Sequence, residues 1–419
     1  MLATFAAFLL LGIGTASAGR PRPPRVEARA WALIDARTGE VLTSHAASRH
    51  LLIASTAKLM TAWVALHELP LGRIVRAAPY HAPYGESLLG LRPGQRISVR
   101  DLLYGMVLVS GDDAAYDLAL AAAGSERHFV RQMNGQASSL GLANTHYANP
   151  IGLDQRGNYS SARDLTTLAQ RLLRIPAFAR IADSRSALLR SLRPPRRIVS
   201  INELLRMAPW VNGVKTGHTS GAGFVLVGSG RRKGVELISA AIGAPTDEDR
   251  FTDNLKLLDY GFSLYRIHTA VRSGQALAAP AIRYVGGELP LVSRRTVKVA
   301  VRRGQRLTVE VRAPKEVQGP IRSGSVIGRA RVLLGGSLVA SLPLRAERSL
   351  PQSGAFERAG SFVSAKAIPF GSAAFVILIG AALLWRRRRR WGDGEEWVLV
   401  SREQVRSAGD RSRGRRWAG

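Results

Sequence analysis

Cysteine is absent from this chain. Its absence excludes thiolate nucleophiles, disulfide frameworks, zinc fingers and cysteine-held iron–sulfur clusters, so any nucleophile here is an oxygen or an amine. The eight histidines include no His-Glu-x-x-His pattern and no close pair with metal-ligand spacing, and neither a metal nor another cofactor is expected. Lysine is scarce among the cations, supplying seven of 60 basic residues. An excess carried by arginine is as easily a habit of genomic base composition as an adaptation for binding. The formal net charge of +30 therefore reads first as a solvated, arginine-coated surface, one that an anionic envelope or membrane would attract; no nucleic-acid partner is expected.

What is present is otherwise an ordinary globular composition: 419 residues, 46% hydrophobic and 21% charged. Disorder throughout is excluded, and at roughly 150 residues per domain the chain has room for two or three domains. Both ends carry apolar runs. Leu2 to Ile13 is followed by Gly14 and Ala16-Ser17-Ala18, the shape of a secretory apolar region with a small-residue cleavage site, so 1–18 reads as a signal peptide. No Lys or Arg precedes the run, a departure from that pattern. Near the other end, 367–385 holds no formal charge and, at about 1.5 Å per residue, is long enough as a helix to cross most of a bilayer's hydrocarbon core. Arg386 to Arg390 follow at once, a stop-transfer and positive-inside signal. The expectation is a cell-membrane protein with a single C-terminal transmembrane helix, a basic cytoplasmic tail over 386–419, and everything between the two apolar runs outside the cytoplasm.

Between the apolar ends, Ala30 to Asp35 and Glu40 to Leu42 bracket Arg37-Thr38-Gly39 in a hairpin pattern. From Ser55, the apolar positions Leu59, Ala62, Trp63, Leu66 and Leu69 recur at helical spacing up to Pro70. Further helices are predicted over 101–122, 126–140, 162–173 and 247–265, and short strands over 223–229 and 236–242. Strands first, helices in the middle, then strands and a helix suggest an α/β unit over 25–266, its sheet closed by distant segments around a helical insertion. Period-two alternation over 296–301 and 307–311 marks a small β domain at 271–347, joined to the membrane segment by a Pro/Ser/Gly-containing linker at 349–366.

Ser55-Thr56-Ala57-Lys58 lies where a helix begins, so the hydroxyl and the amine share one face about a turn apart. A serine hydroxyl must lose its proton to attack a carbonyl, and a lysine can take it only where burial or a neighbouring cation lowers the amine's pKa. Ser110-Gly111-Asp112 follows the apolar run Leu102 to Val109, and Lys215-Thr216-Gly217 precedes a strand. Each is weak alone, since helix caps and solvated strand entries look the same. Their order is informative: nucleophile and base, then a second hydroxyl, then a cation on a strand.

On these motifs, with Asn144-Thr145-His146, Gly152-Leu153-Asp154, Tyr159 to Leu165 and Val214 to Thr219 in the same order, the chain resembles the serine D-alanyl-D-alanine carboxypeptidases, low-molecular-mass penicillin-binding proteins, over about 29–347. The resemblance implies a β-lactamase/transpeptidase-like catalytic domain, a sheet flanked by helices with a helical subdomain, followed by a small all-β domain. It also implies that Ser55 is acylated by the penultimate D-alanine carbonyl of a peptidoglycan stem peptide, that Lys58 is the base, and that Ser110 relays the proton. Lys215 would supply positive charge near the site, Thr216 would bind the substrate carboxylate, Asp112 and Gly217 would be among the substrate-binding positions, and Arg250 would serve the terminal carboxylate. Backbone N–H groups of Ser55 and His218 would form the oxyanion hole, and β-lactams would imitate the substrate.

One position departs from the pattern. The family usually has asparagine where Asp112 stands; an ionised carboxylate only accepts hydrogen bonds, and beside Lys58 it favours the ammonium, a poor base. Two alternatives stay open on sequence. A class A β-lactamase would need a glutamate in a loop before Lys215, and neither Glu126 nor Glu203 has that context. A membrane-anchored penicillin-binding or wall-sensing protein with weak turnover is the other.

Overall fold

The computed structural model describes residues 21–82, 85–354 and 397–400. The expected signal peptide at 1–18 and the expected span at 367–385 lie outside the described residues; no helix among the described residues is long and apolar enough to cross a membrane. The chain divides into two units between Leu264 and Tyr265.

In the first unit, β1 (Ala30–Asp35) and β2 (Val41–His45) lead through a 3-10 turn (Ala54–Ala57) into α1 (Lys58–Glu68). A short β3 (Ile74–Arg76) pairs with β4 (Arg96–Ser98). The helical insertion then runs α2 (Val99–Leu108), α3 (Asp112–Ala123), α4 (Glu126–Ser139), α5 (Ala162–Leu173) and α6 (Pro176–Ala182). A hairpin of β5 (Ser186–Leu189) and β6 (Arg196–Val199) and a one-turn α7 (Leu204–Met207) precede β7 (Val211–Thr219), β8 (Gly223–Arg232), β9 (Val235–Ala244) and α8 (Asp247–Ser263). Local chemistry sets the helix starts: Ser98, Ser125, Ser161 and Thr246 each accept the backbone N–H three residues on, which satisfies a donor the helix leaves unpaired.

The main sheet is antiparallel throughout, in the order β2-β1-β9-β8-β7. Strand β1, from the start of the unit, pairs with β9 from its end. Because side chains alternate along a strand, Ala30, Ala32 and Ile34 enter the core shared with α1 to α5, while Leu33 and Leu237 face Gly261 of α8 on the other side. The sheet is thus covered on both faces, and β7 remains an edge strand.

Periodicity over 101–122 suggested one helix. The structure breaks it in two, with Ser110 in the left-handed region at φ 61 between α2 and α3. The apolar spacing runs through the break because both helices bury a face in the same core, so periodicity alone does not register it.

Among the described residues the second unit is all β: β10 (Tyr265–Val271), β11 (Ala276–Ala278), β12 (Ala281–Ile282), β13 (Leu291–Val292), β14 (Val297–Arg302), β15 (Leu307–Arg312), β16 (Glu316–Val317), β17 (Val326–Leu334) and β18 (Ser337–Ala346). Its core takes Val299 and Val311 from the alternating stretches noted in the sequence, and Val332, Leu342 and Leu344 from β17 and β18, which that reading did not mark. It extends beyond 271–347 at both ends. β10 pairs with β14, and Leu350, assigned to the linker on composition, is buried and bridges to Ile321. β19 (Trp397–Val400) lies antiparallel to β15, with Arg312 opposite Trp397.

Candidate active site

Ser55 stands in the 3-10 turn just ahead of α1, which places Lys58 one turn further along the same face. Lys58 Nζ donates to Ser55 Oγ at 2.7 Å and to the Ile151 carbonyl at 2.7 Å. It also pairs with Asp112 Oδ1 at 2.6 Å, and the lysine side chain is wholly shielded from solvent. An ammonium has three N–H groups, and these three contacts use all of them.

The break between α2 and α3 presents the second hydroxyl. In its left-handed conformation, which costs a non-glycine residue of order 1–3 kcal/mol, Ser110 accepts a hydrogen bond from Lys215 Nζ at 2.9 Å. Lys215 is on β7 and is buried, as is Thr216, whose carbonyl takes a second hydrogen bond from Lys215 Nζ at 2.7 Å. The two lysines therefore enter the same site from different elements, Lys58 from α1 and Lys215 from the sheet edge.

Two glycines permit this closeness. A Cβ on Gly217 would lie 3.0 Å from the Ser55 nitrogen, so β7 reaches the Ser55 backbone only without a side chain there. A Cβ on Gly152, at φ +97, would lie 1.9 Å from the Ala54 carbonyl oxygen. The Gly152 loop is what brings the Ile151 carbonyl to Lys58. Asn149 Oδ1 accepts from the N–H groups of Ile151, Gly152 and Leu153. Asp154 accepts from Thr219 Oγ1 at 2.7 Å and Gly221 N–H at 2.9 Å, tying this loop to the end of β7.

Arg250, on the first turns of α8, is buried between the rings of Phe224 and Phe251 and donates to the Gly217 carbonyl at 3.1 Å. Asp247 is its ion-pair partner. His218 is exposed and stacks on Phe224, the centroids 4.1 Å apart. Of the sequence candidates, Ser55, Lys58, Ser110, Asp112 and Lys215 thus form two contact chains in one site. Gly217 abuts Ser55, Arg250 holds the end of β7, Thr216 lies buried beside Lys215, and His218 is at the rim.

Burial pushes the Lys58 amine below its ordinary range, while the Asp112 carboxylate foremost, with Glu86 and Asp113, pulls it back up. Burial drives Lys215 well below its ordinary range; the charges of Lys58 and Arg250 add to this and Asp112 opposes it.

The sequence reading did not foresee the segment joining β3 to β4. Asp113 accepts from the N–H groups of Leu89, Gly90 and Leu91 at 2.8, 2.7 and 2.9 Å, and Asp117 from Ala78 N–H at 2.8 Å. The Ser87 carbonyl accepts from Asp112 N–H at 2.7 Å. Nothing local marks Asp113 for this; its acidic position at a helix start reads as ordinary dipole compensation. Asp154 had a signal, since Gly152-Leu153-Asp154 was among the stretches that carried the resemblance.

A two-sided α/β sheet with a half-buried serine on a buried lysine, facing a second serine and a second lysine, defines a serine acyl-transfer enzyme. Family models narrow the class: one described as D-alanyl-D-alanine carboxypeptidase matches residues 17–246, and one described as penicillin-binding protein 5, C-terminal domain, matches 268–352. The chain belongs to the D-alanyl-D-alanine carboxypeptidase family. It is 33% identical over 384 residues to the carboxypeptidase DacC of Escherichia coli K12, covering 87% of this chain and 95% of that protein. To DacF of Bacillus subtilis it is 30% identical over 338 residues, covering 78% and 87%. Among solved structures, penicillin binding protein 5 from Haemophilus influenzae matches 79% of this chain and 100% of its own, at a TM-score of 0.56 and 28% identity.

Proposed function

We infer that this chain removes the terminal D-alanine from peptidoglycan stem peptides through an acyl-enzyme on Ser55. The observation that carries the reading is the buried Lys58 Nζ at 2.7 Å from Ser55 Oγ. A neutral amine keeps two N–H groups and a lone pair. The Ile151 carbonyl and Asp112 take the two N–H groups, and the lone pair is left for the Ser55 hydroxyl proton. Ser55 Oγ then bonds to the penultimate D-alanine carbonyl as its proton passes to Lys58, and the backbone N–H groups of Ser55 and His218 receive the charge on the carbonyl oxygen.

Collapse of that intermediate breaks the C–N bond. The proton travels from Lys58 through Ser110 to the departing nitrogen, and D-alanine leaves. Water attacks the ester with Lys58 again as base, restoring Ser55. Lys215, Thr216 and Arg250 bind and orient the substrate's carboxylate end. Gly217 lets the strand approach, and β7, as a sheet edge, offers backbone hydrogen bonds to an extended peptide. A β-lactam follows the acylation step and stops there. Membership of a hydrolytic family and a complete base contact favour turnover over a binding-only sensor.

The test is mass spectrometry of the purified protein with a fluorescent penicillin and with a D-Ala-D-Ala peptide. Labelling at Ser55 together with D-alanine release supports the enzyme. Label without release would make it a sensor, and label persisting in Ser55→Ala would remove the nucleophile.

Residues 21–354 are also proposed to lie outside the cytoplasmic membrane, delivered by the apolar N-terminal run and held by 367–385. The arginines after that segment support a cytoplasmic tail. The pairing of Trp397–Val400 with β15 favours a second placement, with the tail beside the β domain. Protease added outside spheroplasts separates the two: it removes the tail only in the second.

A further inference from the structure

Beside the Lys58–Asp112 pair lies a second carboxylate that the mechanism above does not use. Glu86, on the segment between β3 and β4, is half-buried; its Oε2 accepts from the Tyr80 hydroxyl at 2.5 Å, and its Oε1 is shielded from solvent with no partner. Its position is determined by the backbone. The next residue, Ser87, accepts from Asp112 N–H at 2.7 Å, and the three N–H groups of Leu89, Gly90 and Leu91 are held by Asp113. Tyr80 in turn packs on Tyr116 of α3, the ring centroids 5.3 Å apart. A segment tied this firmly to the start of α3 carries Glu86 to the same end of the helix as Asp112.

We propose that Glu86, held by Tyr80, is a positioning residue for the acylation step, whose negative charge acts with that of Asp112 to retain the proton on Lys58. The inference rests on Lys58 being the base for Ser55. The titratable and charged groups whose fields reach one another here are Glu86 and Tyr80 from the segment, Tyr116, Asp112 and Asp113 from α3, Lys58 from α1, and Lys215 from β7 with Arg250 beyond it; the contacts that join them are Tyr80 to Glu86, Tyr80 to Tyr116 and Lys58 to Asp112. Glu86 and Lys58 each act on the other's charge. Burial pushes the Glu86 carboxyl up, the Tyr80 hydroxyl opposes this, Asp112 adds to it and Lys58 opposes it. The Tyr80 hydrogen bond therefore serves to keep Glu86 ionised in a site where burial would neutralise it. A Ser–Lys site with one carboxylate in contact with its base and a second nearby holds that base protonated to higher pH than the first alone would, so its acylation rate falls off sooner as the medium acidifies.

The experiment measures the second-order rate of Ser55 acylation by a fluorescent penicillin across pH, on the full chain in detergent, for the wild type, Glu86→Gln and Tyr80→Phe. Removing the Glu86 charge lowers the proton affinity of Lys58, so the ratio of variant to wild-type rate rises toward acid pH, reaching roughly threefold to tenfold on the acid limb. Tyr80→Phe lets Glu86 take up its proton at higher pH and moves the ratio the same way by a smaller factor. It carries the test should Glu86→Gln not fold. Profiles that superpose, or a ratio constant at every pH, overturn the inference and leave Glu86 as packing for the segment. Absence of any Ser55 label in the wild type sinks the nucleophile reading, and this inference with it.

Discussion

Replacing Asp112 by asparagine changes one atom in the site and tests how Lys58 is controlled. The carboxylate sits 2.6 Å from an amine that solvent does not reach. An opposite charge at such range typically raises an amine's proton affinity by about 1–3 pKa units. The amide introduced by Asp112→Asn would still accept one Lys58 N–H through its carbonyl oxygen. The charge alone is lost, and Lys58 becomes a free base at lower pH. Second-order acylation of Ser55 by a fluorescent penicillin, followed from about pH 5 to about pH 9, reports this directly. The acid limb should move down by at least about one unit, which makes acylation roughly tenfold faster on the limb. Stability responds in a related way. Breaking a buried pair costs about 3–5 kcal/mol when the orphaned charge is trapped, but Lys58 sheds its proton instead. Its folded-state proton affinity, already below the unfolded value in the wild type, falls further, so the unfolded chain binds more protons over a wider interval and the variant loses more stability than the wild type as pH falls. An acid limb that stays in place, or acylation reduced at every pH by more than about a hundredfold, would refute this account and give the carboxylate a positive role in the step.

Further outcomes are expected elsewhere. Gly152→Ala places a methyl 1.9 Å from the Ala54 carbonyl, in a φ +97 backbone; urea unfolding should show a loss of at least about 2 kcal/mol, with slowed labelling of Ser55. Asp154→Ala severs the ties to Thr219 and Gly221 and should lower kcat/KM for a D-Ala-D-Ala peptide more than it lowers the melting temperature; equal unfolding and activity losses would contradict a role in seating Ile151. Burial raises Asp117 to about 6, against the hydrogen bond from Ala78 and with help from Asp113. Over the interval between its unfolded value and about 6 the folded state binds more protons, so this group's contribution to stability is full below the unfolded value and is lost as pH rises through about 6. Denaturation midpoints of Asp117→Asn, compared with wild type across that interval, should lack this decline.

Much of the fold was legible because its cues are local. Serine and threonine caps stand three residues ahead of the N–H groups they satisfy, alternation marked the β strands, and three residues of helical spacing put Ser55 and Lys58 on one face. These depend on backbone geometry within a turn or a strand, which residue order alone dictates. The break at Ser110 was not legible, since the apolar period continues across it and the left-handed residue between α2 and α3 serves a contact with Lys215, 105 residues away.

The same limit governs the site. Residue order singled out Ser55, Lys58, Ser110 and Lys215 as candidates, and the family stretches around them indicated the class of reaction. It left the state of Asp112 open, because a carboxylate's behaviour depends on what faces it. Only the packed chain supplied those neighbours: Lys58 against the carboxylate, the Ile151 carbonyl 93 residues along the chain from the amine, and Glu86 with Tyr80 beside them. Proton affinity is a sum over nearby charges and lost solvent, and nearness in space across such separations is set by the fold.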